Sequence, residues 1–286
     1  MRFGFVDEHR NVWPISVMCR VLGVSVSGYY AWRSRPESAR ARANRALLGD
    51  IRVAHAESGG SYGAPRVHAA LRALGRRVGR HRVARLMRRA GLRGLAALPR
   101  RVRTTDSRHG HPIAPNRIGR SFEAARPNQV WLGDLTYVRT GEGWLFLAAV
   151  LDLHTRKIVG WAMRDTLHAE IALEALDMAV RRQRPAPGLI CHTDRGIQYA
   201  CEPYRKALAT AGITPSMSRK GNCLDNAPME SFFHSLKIER VHHRVYATRA
   251  EARRDLFGWI EGWYNTHRLH SALGYRSPAA MEGMAA

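Results

Sequence analysis

The periodicity of this chain changes at Asn128. Upstream, apolar residues recur at helical spacing; from Gln129 onward the pattern becomes that of strands and alternating helices. Gln129–Arg139 alternates like a strand. A turn containing Gly141 leads to Trp144–Asp152, which is almost entirely apolar, and a turn at His154–Arg156 leads to Lys157–Met163, so the three runs predict a meander. Leu167–Arg182 reads as a helix ended by Pro185, Pro187 and Gly188. Leu189–Thr193 is a short apolar strand running into Asp194-Arg195-Gly196. Glu202–Ala211 is helical, Ile213–Met217 is a strand, SRKGNCLDN is a loop, and a helix runs from Asn226 to Glu239.

Three strands followed by helix, strand, helix, strand and helix predict an α/β domain with the mixed sheet of the ribonuclease-H pattern. A crossover helix separates the strand ending at Asp194 from the meander, so that strand pairs parallel to the first one. The whole architecture reads as a ribonuclease-H-like mixed-sheet catalytic domain preceded by an all-α, helix-turn-helix-like basic region. The expected divisions are a helix-turn-helix-like segment at 1–38, a basic helical DNA-binding region at 39–95, a basic linker at 96–127, the core at 128–266 and a tail at 267–286.

Charge separates the two halves. The chain carries a net +23, and residues 1–120 hold 25 Arg and no Lys against 6 acids. The N-terminal half is therefore the expected polyanion-binding half. Ile15–Trp32 has the outline helix, Gly23 turn, helix, with Ser25 or Ser27 as a cap; a helix-turn-helix and a packed two-helix hairpin both fit it. Ala39–Glu57, Pro65–Leu74 and Arg80–Ala90 are further helices. In the last, Val83, Leu86 and Met87 mark the buried stripe, Gly91 stops the helix, and Arg82, Arg85, Arg88 and Arg89 project as DNA-contact candidates with almost no acid nearby. The linker is rich in Arg, Pro, Gly and Ser without a sustained period, which fits both a segment lying along nucleic acid and a solvated one.

The cysteines, Cys19, Cys191, Cys201 and Cys223, never approach C-x-x-C spacing, so neither a zinc finger nor a disulfide framework is expected. No signal-peptide pattern and no membrane-length apolar run occur, so a soluble, intracellular protein is expected.

Three carboxylates then become candidates for chemistry. Asp134 lies inside a β-branched and aromatic strand, where an unpartnered charge is costly. Asp194 closes an apolar strand, and Glu230 stands in the first turn of its helix. Partial exposure, an ordinary turn and a helix-dipole contact explain each of them singly. Parallel neighbouring strands, however, place Asp134 and Asp194 at one sheet edge, with Glu230 heading the helix that returns there. Three oxygen donors without His or Cys suit Mg²⁺ or Mn²⁺, and two such ions support phosphoryl transfer. Lys237, seven positions after Glu230, lies on the same helix face about 10 Å along the axis, a layout that fits a cation placed to meet a phosphate and an ordinary surface helix alike.

The blocks WLGDLTY, HTDRGIQY and DNAPMESFFHSLKIE, with 35 residues between Asp194 and Glu230, resemble the three blocks of a DDE transposase or integrase core. The terminal YNTHRLHSALGYRSPAAM and the upstream CRVLGVSVSGYYAW and RHRVARLMRRAGL resemble the downstream reading-frame (OrfB-type) product of the IS-three insertion-sequence family. This resemblance implies Asp134, Asp194 and Glu230 as metal ligands, two Mg²⁺ ions with Mn²⁺ able to substitute, and nicking followed by strand transfer at element ends. It implies Lys237 beside the reacting phosphate, and His192, Gln198, Tyr199 and Asn226 as flanking residues that shape the site or touch DNA. Its expected partners are double-stranded DNA at element ends and target, further copies of the chain, and the upstream reading-frame product as a fusion or associate, since the chain has no heptad run of its own. A DNA-binding regulator and a structure-selective nuclease are the competing readings.

Overall fold

A computed structural model describes residues 1–96, 109–219 and 223–285; residues 97–108 of the expected linker and 220–222 of the expected loop lie outside the described residues. The alternation from Gln129 folds into β1 (Val130–Thr140), β2 (Gly143–Asp152) and β3 (Ile158–Arg164), joined later by β4 (Ile190–Thr193) and β5 (Thr214–Met217). The sheet order is β3-β2-β1-β4-β5. The first three strands are antiparallel, β4 runs parallel to β1 as expected, and β5 runs parallel to β4.

Twelve α-helices are described, in chain order α1 (Arg2–Glu8), α2 (Ile15–Val21), α3 (Val26–Ser34), α4 (Ala39–Glu57), α5 (Ala64–Ala73), α6 (Arg80–Arg89), α7 (Ala169–Gln183), α8 (Ile197–Ala200), α9 (Glu202–Thr210), α10 (Ala227–Glu239), α11 (Arg249–Phe257) and α12 (Pro278–Ala285). Strand parity sorts the core into two layers. Even-numbered residues of β1, such as Val130, Leu132 and Val138, pack with Met229, Phe232, Phe233 and Leu236 of α10 and with Leu256, Trp259 and Ile260 beyond it. Trp131 and the opposite faces of β2 and β3 pack with Ile171, Ala175 and Ala179 of α7 and with Tyr204 and Leu208 of α9. Helix α7 lies directly on β3 at Gly160, where an added Cβ would come 2.1 Å from the Ala175 carbonyl oxygen.

Between Ile15 and Trp32 the structure has two helices joined at the Gly23 turn, and α1 packs on both around Val6, Met18, Cys19 and Tyr29. Ser25 is the cap, its Oγ accepting from Gly28 N at 3.0 Å. Helices α4, α5 and α6 enclose a separate core of Ile51, Val67, Leu71, Val83 and Met87. That unit is fastened to the tail: Tyr62 Oη accepts from Leu269 N at 2.7 Å, and Arg66 Nε donates to the Leu269 carbonyl at 3.0 Å.

The stretch ahead of β1 contains no helix or strand among its described residues, yet it is anchored. Ile118 is buried in the α10-side core, and Arg117 N donates to Ser216 Oγ at 2.9 Å. Helix α11 is absent from the sequence reading although its start carries a signal. Thr248 caps it by accepting from Glu251 N, and Glu251 Oε2 accepts from Ala247 N, close to the reciprocal Thr-x-x-Glu capping box.

Candidate active site

Parity places Asp134 on the α10 side of β1. The β1–β4 register pairs Leu132 with His192; continued two residues, one past the end of β4, it brings Asp194 level with Asp134. Asp194 Oδ1 accepts from Gly196 N at 2.9 Å, so the residue also makes the ordinary turn that its Arg-Gly sequel suggested. Asp134 Oδ1 accepts from Leu135 N at 2.8 Å. The residue is half-buried, and burial pushes its pKa well above the ordinary value. The negative charge of Asp194 pushes in the same direction, and so, more weakly, does that of Glu230; the Leu135 N–H and Lys237 act against them.

Asp134 on β1 thus feels both Asp194, just past β4, and Glu230 on α10. Among the described residues, no group of three His, Cys, Asp or Glu side chains is arranged as a metal cage. The donor set nevertheless fits a hard divalent cation: all donors are carboxylate oxygens, and their mutual repulsion is the deficit such an ion neutralises.

Lys237 lies two turns beyond Glu230, with Nζ 5.2 Å from the centre of the Tyr137 ring. Burial lowers its pKa, and the Asp134 charge opposes that shift. The aromatic face of Tyr137 and the charge of Asp134 hold the ammonium beside that acid.

The four flanking residues occupy different places. His192 is fully buried, with Nδ1 2.8 Å from Ser216 Oγ and Nε2 3.1 Å from Ser218 Oγ. Burial lowers its pKa to about 4, which keeps the ring neutral at physiological pH. Gln198 Nε2 donates to the Leu167 carbonyl at 3.0 Å. Tyr199 is buried on the opposite side of β1, against Gly133; a Cβ on that glycine would stand 3.6 Å from the Tyr199 ring and 3.1 Å from Thr193. Asn226 spans the gap to the first strand, its Nδ2 donating to the Gly133 carbonyl at 3.2 Å.

Sequence reasoning missed the residues that surround Asp225. Its carboxylate is fully buried and accepts from Arg120, Arg219 and Asn116, and the bonds from Arg219 hold its pKa well below the usual carboxylate range. The one available signal was an acid next to Asn226 at a helix start where neither is needed as a cap.

On α6, Val83, Leu86 and Met87 are buried, and Arg85, Arg88 and Arg89 are exposed. Arg82 is half-buried and donates to Asn44 Oδ1 at 2.9 Å. Arg85 and Arg89 line an open groove of about 280 Å³ with Ser38, Arg40 and Asn44.

Family models give this arrangement its class. Models described as an integrase core domain match residues 124–223 and 211–278, and one described as an HTH-like domain matches residues 42–102, which includes α5 and α6 and most of α4. A helix-turn-helix-like unit in front of an integrase core makes this an enzyme of the polynucleotidyl transferase type. The chain is 47% identical over 264 residues to an insertion element IS600 uncharacterized 31 kDa protein of Shigella sonnei, covering 92% of this chain and 96% of that one. It is 41% identical over 285 residues to the transposase InsF for insertion sequence IS3A of Escherichia coli (strain K12), covering 99% and 98%. It belongs to the IS3 family of insertion-sequence transposases. Among solved structures it is similar to the catalytic core domain of BIV integrase, at 13% identity and a TM-score of 0.41, covering 55% of this chain and 95% of that one.

Proposed function

We propose that this transposase cleaves DNA strands at the ends of its insertion sequence and joins the freed 3′-hydroxyls to a target phosphodiester, using Asp134, Asp194 and Glu230 as ligands for two Mg²⁺ ions. The observation that carries the reading is the convergence on Asp134 of β1 of Asp194, just past β4, of Glu230 on α10 and of Lys237 as the cation beside it. Bound divalent ions would activate the attacking oxygen and stabilise the leaving one. The three carboxylates would hold those ions. Lys237 takes a non-bridging phosphate oxygen and so fixes the scissile group along the α10 face. Arg85, Arg88 and Arg89 supply contacts to the DNA backbone, which position the duplex without reading its sequence. Double-stranded DNA, at the element ends and at the target, is the substrate, and further copies of the chain and the upstream reading-frame product complete the assembly at the nucleoid.

The test is a joining assay on matched element termini with Mn²⁺, comparing the wild-type chain with Glu230→Gln, each with and without the upstream product. Wild-type joining that disappears in the variant, with DNA binding retained, supports the proposal. Salt-sensitive binding with no metal-dependent nicking under either condition would refute it and leave a DNA-binding regulator.

The DNA-contact assignment has its own expected outcome. Replacing Arg85 and Arg89 together with Gln should weaken binding to all duplexes alike. It should also flatten the slope of log K against log salt by about 1 per side chain. Binding titrations at several salt concentrations measure this; an unchanged slope removes these two arginines from the interface.

A further inference from the structure

Glu230 rides on α10, so whatever fixes the start of that helix fixes the third acid. The apolar side of α10 holds it against the sheet, but apolar burial is non-directional and tolerates sliding or rotation. Hydrogen bonds and ion pairs are directional. Those at the helix start come from outside the helix.

Asn226 makes no cap bond there; it reaches instead to the carbonyl of Gly133, the residue before Asp134. Its Oδ1 is buried and has no partner among the described residues. Asp225 is held more firmly. Arg120 Nε donates to it at 2.8 Å and Asn116 Nδ2 at 3.1 Å, both from the segment ahead of β1. Arg219, just past the end of β5, donates its backbone N at 2.9 Å, Nε at 3.0 Å and Nη2 at 2.8 Å. The carboxylate has no solvent exposure, whereas Arg120 and Arg219 are 41% and 55% exposed.

The same upstream segment also braces the strand that carries Asp194. Arg117 N donates to Ser216 Oγ, which in turn meets His192 Nδ1, two residues before Asp194. Arg195, the residue after Asp194, donates Nε to the Ser218 carbonyl at 2.7 Å. The stretch around Asn116–Arg120 therefore connects to both acid carriers, β4 and α10.

We propose that Asp225 is a positioning residue: gripped by Asn116, Arg120 and Arg219, it pins the first turn of α10 so that Glu230 meets Asp134 and Asp194. The segment that the sequence presents as linker is then part of the active-site build. This inference rests on the reading of the three acids as metal ligands.

The test pairs Mn²⁺ titration calorimetry on the full chain with the joining assay, for wild type, Asp225→Asn, Arg120→Gln and Glu230→Gln. Asp225→Asn should bind Mn²⁺ about tenfold more weakly, in line with other supports behind metal ligands. It should join strands about a hundredfold more slowly, the cost of a misplaced catalytic group. Arg120→Gln, at a half-exposed site that leaves the fold intact, should shift both in the same direction by less. A purely structural Asp225 would lower the melting temperature and leave Mn²⁺ affinity at the wild-type value in the folded protein; that result overturns the proposal. If Asp225→Asn fails to fold, Arg120→Gln decides: wild-type Mn²⁺ affinity and joining rate in that variant overturn it as well. Absence of Mn²⁺ binding and joining in the wild type would instead bring down the metal reading itself, and this inference with it.

Discussion

Asp134→Asn should lower Mn²⁺-dependent strand joining by about a thousandfold or more, the scale of losing a principal electrostatic group from a phosphoryl-transfer site. The same substitution should make the metal-free protein harder to unfold. Both effects have one cause. In the wild type, burial and the charges of Asp194 and Glu230 raise the Asp134 pKa well above its ordinary 3.8. The folded state therefore holds a proton that the unfolded state has released, and stability falls as pH rises from about 3.8 through the folded-state pKa. Asparagine keeps the shape and the acceptor for Leu135 N but removes that charge. Melting curves in chelator from pH 4 to pH 8 should show the wild type losing stability relative to the variant as pH rises. Adding Mn²⁺ at neutral pH should raise the wild-type Tm and leave that of Asp134→Asn nearly unmoved, because only the wild type offers a full set of ligands. A variant that joins strands at the wild-type rate would remove Asp134 from the chemistry. One with the same metal-induced shift would remove it from the ligand set.

Much of this site was legible because its signals are local or periodic. A strand alternates with period two, so Asp134 and Leu132 share a face once β1 is recognised. The crossover rule makes β4 parallel to β1, and that alone brings Asp194 beside Asp134. Seven residues from Glu230 to Lys237 is nearly two helical turns, which aligns them without knowledge of the partner surface. In the structure Met229, Phe232, Phe233 and Leu236 recur at that same helical period on the buried face of α10.

The Asp225 cluster had no such signal. Arg120 is 105 residues from Asp225 in sequence, and its neighbours have the Arg-, Gly- and Ser-rich composition of a solvated connector. Composition reports whether a segment can bury an apolar face; it does not report whether one arginine finds a buried carboxylate. His192 shows the same limit from the other side. Its place in HTDRGIQY left shaping the site and touching DNA both open, and only the register of β4 with β5 shows that Ser216 and Ser218 enclose it. Helix α11 is a different case, since its Thr248–Glu251 cap was present in the sequence and went unused.

The largest loss of stability is expected at the other end of α10. Arg268 and Glu239 have side chains only 4% and 7% exposed. Arg268 Nε lies 3.0 Å from both Glu239 oxygens, and Nη2 donates to Glu239 at 2.6 Å and to Ser235 Oγ at 2.9 Å. Burial alone would lower the Arg268 pKa, but the hydrogen bonds to Glu239 outweigh it and the net shift is upward. Arg268→Ala leaves a carboxylate buried without its cation, a change that costs about 3–5 kcal/mol. Calorimetry should register this as a drop in Tm on the order of 10 °C. Arg268→Lys should recover only part, because an ammonium cannot make the paired bonds of the guanidinium. The double variant Arg268→Met with Glu239→Leu should recover most of it, since two well-packed apolar side chains replace a buried pair at little net cost. The neighbouring backbone distinguishes stability from architecture. Leu269 carries the bonds to Tyr62 and Arg66, so Arg268→Ala should also make the α4–α6 unit easier to cleave by limited proteolysis. If the double variant restores Tm and protease resistance together, apolar packing suffices to seat the tail. If it restores only Tm, the directional grip of Arg268 is what holds the tail, and through it the helix-turn-helix-like unit, against α10.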